Sequence, residues 1–159
     1  MRRAQPQYPP GFGLDLAIMD KAAVEAAQQC IELAEAAIHA MENADTFKKL
    51  EVGWSEFLTW ANRAYVKLEQ GSKTDKRSTH WFAEKKHERR KDPLLKYVKN
   101  ARDADEHGLK RVTEREQGGV EVTNYGDKYQ PPGDDDPITV ARKLTDHLKA
   151  LVSEADKLS

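Results

Sequence analysis

Residues 45–71 read DTFKKLEVGWSEFLTWANRAYVKLEQG and carry the most regular helical pattern in this chain. Apolar side chains recur there every three to four residues, the spacing that places them on one face of an α-helix. Asp45 and Thr46 stand where a helix can begin, and Gly71 stands where it can end. The apolar positions are Phe47, Leu50, Trp54, Phe57, Leu58, Ala61, Ala64, Tyr65 and Leu68. We predict a long amphipathic helix, and core packing is enough to explain its aromatic residues.

An alanine-rich helix is predicted before this stretch, over residues 15–43. Its apolar stripe is mostly alanine, widened by Cys30, Ile31 and Ile38, so we expect close approach to a neighbouring helix. Residues 1–14 contain three prolines and two glycines, which predicts an irregular N-terminal segment. Cys30 is the only cysteine, so an internal disulfide is excluded and a reducing compartment is favoured.

Three further helices are predicted after Gly71. The first spans about residues 78–90, and the second begins at Asp92-Pro93, a capping residue followed by proline in the first turn. The second helix should close at Gly108, and the last helix should begin at Pro137. Between these two helices, residues 110–136 lack the apolar spacing that is typical of a helix.

The valines around Gly118-Gly119 predict a short β-hairpin, followed by a loop rich in proline and aspartate. We therefore predict an all-α fold, an antiparallel four- to five-helix bundle with a small β-hairpin insertion before the last helix. Residues 15–159 would form one domain.

Composition excludes several classes of protein. Of the 159 residues, 38% are hydrophobic and 33% are charged, which is too apolar for general disorder. No apolar run approaches the roughly 20 residues of a transmembrane helix. The N-terminal Met-Arg-Arg lacks the pattern of a secretory signal, so we expect a cytoplasmic protein with no membrane contact.

Charge is unevenly distributed along the chain. The net charge is −1, which argues against a globally basic nucleic-acid binder. Residues 72–102, however, contain eleven Lys or Arg and only four Asp or Glu, a local charge of +7. This stretch could face a polyanion, and a solvated helix face is the alternative explanation.

The chemically informative residues follow this basic stretch. On an ideal helix Arg102 and His107 lie about 140° apart, and the direction midway between them is nearly opposite the apolar stripe. An arginine can hold a phosphate through two hydrogen bonds, and a histidine can transfer a proton near neutral pH. Asp103, one turn before His107, could orient the imidazole. The alternative is that Arg102 and His107 are ordinary solvent-exposed residues.

The same spacing occurs once more, at Arg142 and His147 in the last predicted helix. We prefer the first pair because an acid follows its arginine and because it borders the basic stretch, whereas His147 is expected at the edge of the core. His80 and His87 have no obvious third ligand, so we predict no metal site. Phosphate-binding glycine loops, paired cysteines and the HExxH motif are all absent from the sequence.

Residues 102–107, RDADEH, resemble the motif of the HEPN superfamily, an arginine followed by a polar residue and, after four to six intervening positions, a histidine. The wider similarity is to uncharacterised bacterial HEPN-like proteins and runs over about residues 45–108. It is carried by Phe57-Leu58, Ala61-Asn62-Arg63, Lys67-Leu68, Trp81-Phe82, Arg90 to Leu95, Ala101-Arg102 and Glu106-His107-Gly108.

The resemblance implies a homodimer in which two motif helices face each other and share one cleft. Active members of the superfamily are ribonucleases that need no metal or other cofactor. In such an enzyme His107 would move the proton of a ribose oxygen, Arg102 would stabilise charge at phosphorus, and Asp103 would fix their geometry. A toxin–antitoxin or anti-phage setting, with a cognate antitoxin as partner, is part of the same expectation.

Two alternatives to an endoribonuclease stay open. One is a non-catalytic dimer of the same fold that binds nucleotide, nucleic acid or a partner protein, and the other is a purely structural dimer. If the protein cleaves RNA or only binds it, basic residues near the motif would contact the phosphate backbone independently of the RNA sequence. These residues are Lys85, Lys86, Arg89, Arg90 and Lys99.

Overall fold

The structure of the protein, a computed structural model, describes residues 18–103, 109–111, 120–122 and 135–159, with side chains for 18–99 and 135–159. Its elements in chain order are α1 (Lys21–Glu42), α2 (Phe47–Gly71), a 3-10 turn (Ser72–Thr74), α3 (Lys76–Lys91), α4 (Pro93–Asp103), β1 (Leu109–Arg111), β2 (Val120–Val122) and α5 (Pro137–Leu158). The predicted all-α class is confirmed. Within the described residues, no helix has the length and apolar character needed to span a bilayer.

Helices α1 and α2 form an antiparallel pair at the centre of the fold. A Cβ added to Gly53 would lie 2.7 Å from Cγ of Met41, and one added to Gly71 would lie 2.5 Å from Cβ of Ala23. The two backbones therefore approach closely at both ends of the pair, which explains the small residues on α1. The predicted stripe of α2 is buried from Trp54 to Leu68, and Phe47 and Leu50 are half-buried.

Helix α5 packs along this pair and completes the core. Its start is confirmed at Pro137, where the Asp136 carboxylate accepts a hydrogen bond of 2.7 Å from the backbone N–H of Thr139. The predicted stripe is buried at Ala141, Leu144, Leu148, Leu151 and Ala155. Alternation of these residues with exposed lysines and acids accounts for the amphipathic helix.

Helices α3 and α4 pack against α2, and α4 also contacts α5. Phe82 of α3 is buried with its ring 5.0 Å from that of Tyr65. The predicted start of α4 is confirmed, since the Asp92 carboxylate accepts from the backbone N–H groups of Leu94 and Leu95 at 2.9 and 3.2 Å. A salt bridge of 2.8 Å between Lys85 and Glu154 connects α3 to α5.

The predicted start of the first helix is wrong, because residues 18–20 are not helical and α1 begins at Lys21. Asp20 caps the helix by accepting from the N–H of Ala22 at 3.0 Å. The N–H groups of Ile18 and Met19 instead donate to the carbonyl of Leu158, at 2.8 and 3.0 Å. This contact with the far end of the chain cannot be read from local helical periodicity.

Strands β1 and β2 pair antiparallel, with Leu109 opposite Val122 and Arg111 opposite Val120. Residues 110, 111 and 120–122 fall within the segment for which the sequence predicts a hairpin, whereas Leu109 precedes it, and the hairpin itself stays a prediction. The glycine turn at 118–119, the following loop up to residue 134 and the predicted helix end at Gly108 lie outside the described residues, as does the predicted irregular segment 1–14.

Candidate functional site

Arg102 and Asp103 are the last two residues of α4. Their side chains, and His107 altogether, lie outside the described part of the chain. The preceding turns of α4 are described: Tyr97 and Val98 are buried, and Lys99 is exposed. The predicted Arg102–Asp103–His107 site therefore begins in the last turn of α4. The arrangement of its side chains stays a prediction.

Two of the predicted RNA-contacting lysines are paired with carboxylates of the bundle itself. The Lys85 ammonium, whose side chain is only 17% exposed, lies 2.8 Å from Glu154 and 3.6 Å from Glu88. Its pKa is raised, mainly by the hydrogen bond with Glu154. Lys86 lies 2.5 Å from Glu69 of α2. These two charges are largely compensated within the protein.

The other three predicted contacts differ from one another. Arg90 and Lys99 are exposed and form no salt bridge with any residue whose side chain is described. Arg89 is half-buried, and its guanidinium carbon lies over the ring of Tyr65, 3.9 Å from the ring centre. The five predicted contacts therefore do not form one uniform charged surface. Two are paired with carboxylates, one lies over an aromatic ring and two are exposed.

Arg89 and Lys99 also line a small cleft, which we call the Arg89 cleft. Its apolar wall is formed by Leu58, Ala61, Tyr65, Leu95, Val98, Leu144 and Leu148, and its polar lining is completed by Asn62 and His147. The cleft lies between α2, α3, α4 and α5 and has a volume of about 30 Å³. That volume is enough for one or two water-sized groups.

Two polar atoms of the cleft-lining residues have no hydrogen-bond partner among the described residues. They are the hydroxyl of Tyr65, a residue only 7% exposed, and the Nε–H of Arg89. Both atoms are themselves buried. Buried polar atoms without a partner are uncommon in proteins and point to a missing acceptor or to a functional role.

His147 is half-buried in the wall of the same cleft. Burial lowers its pKa, and this effect outweighs the carboxylates of Asp92, Glu88 and Glu154, which raise it. Lys85 lowers the pKa further. The imidazole is therefore neutral near pH 7, and the expectation that His147 edges the core agrees with its position between Leu144 and Leu148.

The Arg142–His147 pair is not brought together by α5. The guanidinium of Arg142 lies 2.6 Å from the Glu42 carboxylate of α1, whereas His147 faces the Arg89 cleft. The two side chains therefore serve different surfaces despite their spacing.

The described residues contain no group of three or more His, Cys, Asp or Glu side chains arranged to hold a metal ion. His80, considered above as a possible ligand, lies 3.1 Å from Glu84, and both side chains are exposed. Cys30 is buried, and burial raises the pKa of its thiol.

The sequence pattern did not indicate the cleft, although Arg89 and Lys99 were predicted from it as RNA contacts. Tyr65 was assigned to the core stripe of α2, and His147 to the core edge of α5. The cleft depends on four helices meeting, and no periodicity within one helix can indicate which polar residues meet there.

Comparison of the chain with family models, with curated proteins and with solved structures finds no match. The resemblance to the HEPN superfamily stays a prediction from the motif residues and their wider frame in the sequence.

Proposed function

We propose that the protein is a HEPN-type ribonuclease that cleaves RNA without a metal at a site shared by two copies of the chain. The proposal is supported most by the motif itself, whose first two residues, Arg102 and Asp103, form the end of α4. Leu95, Tyr97 and Val98 occupy the buried face of that helix, and Lys99 is exposed one turn before Arg102. By helical phase, at about 100° per residue, Asp103 lies on the side of Lys99, whereas Arg102 falls between the directions of Leu95 and Val98.

The chemistry follows from the two side chains. His107 takes the proton of a ribose 2′-hydroxyl, whose oxygen attacks the adjacent phosphorus, and the bond from phosphorus to the 5′-oxygen breaks. The guanidinium of Arg102 stabilises the negative charge that develops at phosphorus. The departing 5′-oxygen takes up a proton, so the products are a cyclic 2′,3′-phosphate and a 5′-hydroxyl.

A second copy of the chain would enclose such a site. An arginine and a histidine in bulk water are strongly screened, and enclosure by a partner helix increases their effect on a bound phosphate. Each protomer would then contribute one Arg102 and one His107 to a common cleft.

The test is cleavage of labelled RNA by purified protein in the presence of a chelator. We expect cleavage that persists with chelator and is lost in both Arg102→Ala and His107→Ala. Arg142→Ala is the matched control, because it removes an arginine with the same spacing to a histidine, and we expect it to cleave like the wild type. Cleavage by the Arg102→Ala, His107→Ala double variant at the wild-type rate would refute the assignment.

Non-catalytic RNA binding by the same dimer is the second candidate. It is favoured by Arg90, Lys96 and Lys99, which are exposed and lack a carboxylate partner among the described side chains. Binding without cleavage would support this candidate. Light scattering at several protein concentrations tests the dimer itself, and a persistent monomer would contradict both candidates.

A further inference from the structure

We infer that the Arg89 cleft binds the oxyanion, carboxylate or phosphate, of a small ligand whose short apolar part lies against the leucines of the cleft wall. This site is separate from the proposed ribonuclease site, because it uses neither Arg102 nor His107. The inference rests on an arginine that forms no salt bridge with a described side chain, on two buried polar atoms without a hydrogen-bond partner among the described residues, and on the lining of the cleft.

The charge of Arg89 differs from that of its neighbours on α3. Lys85 and Lys86, one turn earlier, each lie within salt-bridge distance of a carboxylate, Glu154 and Glu69 respectively. Those carboxylates are thereby already occupied. Arg89 has an aromatic ring beneath it and forms no salt bridge with a described side chain, so its positive charge stays available to an anion.

The hydrogen-bonding capacity of the cleft is also unused. Contact with the ring of Tyr65 does not consume the N–H donors of the guanidinium, which lie along its edge. The Nε–H of Arg89 and the Tyr65 hydroxyl are both buried and both lack an acceptor among the described residues. An oxyanion in the cleft would supply the acceptor that these donors lack, and charge-assisted bonds of this kind are the strong ones.

The other residues that line the cleft indicate which parts of the ligand are polar and which are apolar. Lys99 is exposed and adds a second positive charge, while Asn62 offers an amide and His147 a neutral imidazole. The other lining residues are apolar, with Leu58, Leu95 and Leu144 among them. A volume of about 30 Å³ admits only a small polar group, so the rest of the ligand must lie along this apolar wall.

The experiment uses probes that separate the oxyanion from the apolar part. Butyrate and butyl phosphate carry a short chain with either oxyanion, and butanol carries the chain alone. Binding is followed by ¹H–¹⁵N NMR of the full chain at the Arg89 Nε–H and at the imidazole of His147. We expect saturable shifts of both signals with butyrate, with butyl phosphate or with both, which also identifies the preferred oxyanion, and no saturable shift with butanol.

Two arginine variants provide the matched comparison. Arg89→Gln should weaken binding by about ten-fold or more, the loss expected for hydrogen bonds to a charged group. Arg90→Gln removes the same charge from the next residue, which is exposed, and should leave the affinity within about two-fold of wild type because it is a screened surface charge.

Tyr65→Phe keeps the ring that packs against Arg89 and removes only the hydroxyl, so it tests the site even if Arg89→Gln fails to fold. We expect this variant to bind the same probe more weakly while its backbone spectrum stays that of the wild type. The inference is overturned if neither anionic probe gives a saturable shift, if butanol shifts the signals equally, or if Arg90→Gln weakens binding as much as Arg89→Gln.

Discussion

The guanidinium carbon of Arg89 lies 3.9 Å from the centre of the Tyr65 ring and joins helix α3 to helix α2. A cation over a ring is attracted by the negative face of the π system, by about 0.5–2 kcal/mol depending on desolvation. The same ring contacts Phe82, with 5.0 Å between ring centres. Tyr65 therefore contacts two residues of α3, the buried Phe82 and the charged Arg89.

Tyr65→Phe should leave the unliganded protein as stable as the wild type or up to about 1 kcal/mol more stable, because the hydroxyl it removes is buried without a described partner. The ring, and with it the contact to Arg89, is retained. The measurement is urea unfolding followed by circular dichroism. Tyr65→Leu removes the ring and should lower the free energy of unfolding by about 1–3 kcal/mol. A loss of more than about 1 kcal/mol in Tyr65→Phe would mean that the hydroxyl has a partner.

His147 should make stability depend on pH. Its pKa is lowered in the folded state, so the unfolded chain binds more protons and the free energy of unfolding rises with pH. The contribution is complete above the ordinary histidine value of about 6.5 and is lost as the pH falls through the lower pKa of the folded state.

Urea unfolding at a series of pH values below neutrality measures this dependence. His147→Gln should unfold with a shallower pH dependence than the wild type over that window. His87→Gln is the matched control, because His87 is exposed on α3 and should leave the slope unchanged. Equal slopes for wild type and His147→Gln would contradict the buried, neutral imidazole.

The close approach of α1 and α2 predicts that alanine is tolerated better at Gly53 than at Gly71. A methyl group at position 71 would meet the rigid Cβ of Ala23 at 2.5 Å, whereas one at position 53 would meet the flexible side chain of Met41. Gly71→Ala should therefore destabilise by about 1–3 kcal/mol through overpacking. Gly53→Ala should cost less, because its gain in helix propensity, about 1 kcal/mol, offsets the displacement of Met41.

A double-mutant cycle identifies the cause. Ala23→Gly removes the opposing methyl group, so the Gly71→Ala, Ala23→Gly variant should recover much of the stability lost in Gly71→Ala. The coupling free energy from thermal or urea unfolding should be about 1 kcal/mol or more. Additive effects of the two substitutions would show that the helices do not meet at these positions.

RNA binding should depend on which lysines are already paired. Lys99→Gln should weaken RNA binding and reduce the slope of log affinity against log salt by about 0.7, the value for one lost phosphate contact with a single strand. Lys86→Gln should change the slope less, since Lys86 lies 2.5 Å from Glu69. Filter binding at several salt concentrations measures both. Equal slope changes in the two variants would show that the salt bridge does not limit the availability of Lys86.

Much of the helical framework could be predicted from local patterns. The starts of α2, α4 and α5 were predicted correctly because their caps, at Thr46, Asp92 and Asp136, stand beside the first turn in the sequence. The start of α1 was predicted six residues too early. Asp20 caps that helix, but the preceding backbone is held by Leu158 from the other end of the chain, so local pattern could not locate the boundary.

For the candidate site, the amino-acid pattern specified residue types, spacing and local charge: an arginine and a histidine suited to phosphate chemistry after a basic stretch. The packing of the helices specified which basic residues are compensated, because Glu69 and Glu154 reach Lys86 and Lys85 from other helices. It also decided that Tyr65, Arg89 and His147 line one cleft. Helical periodicity specifies which side of a helix is buried, whereas the partner of a polar side chain depends on how separate helices pack, and that information is not local.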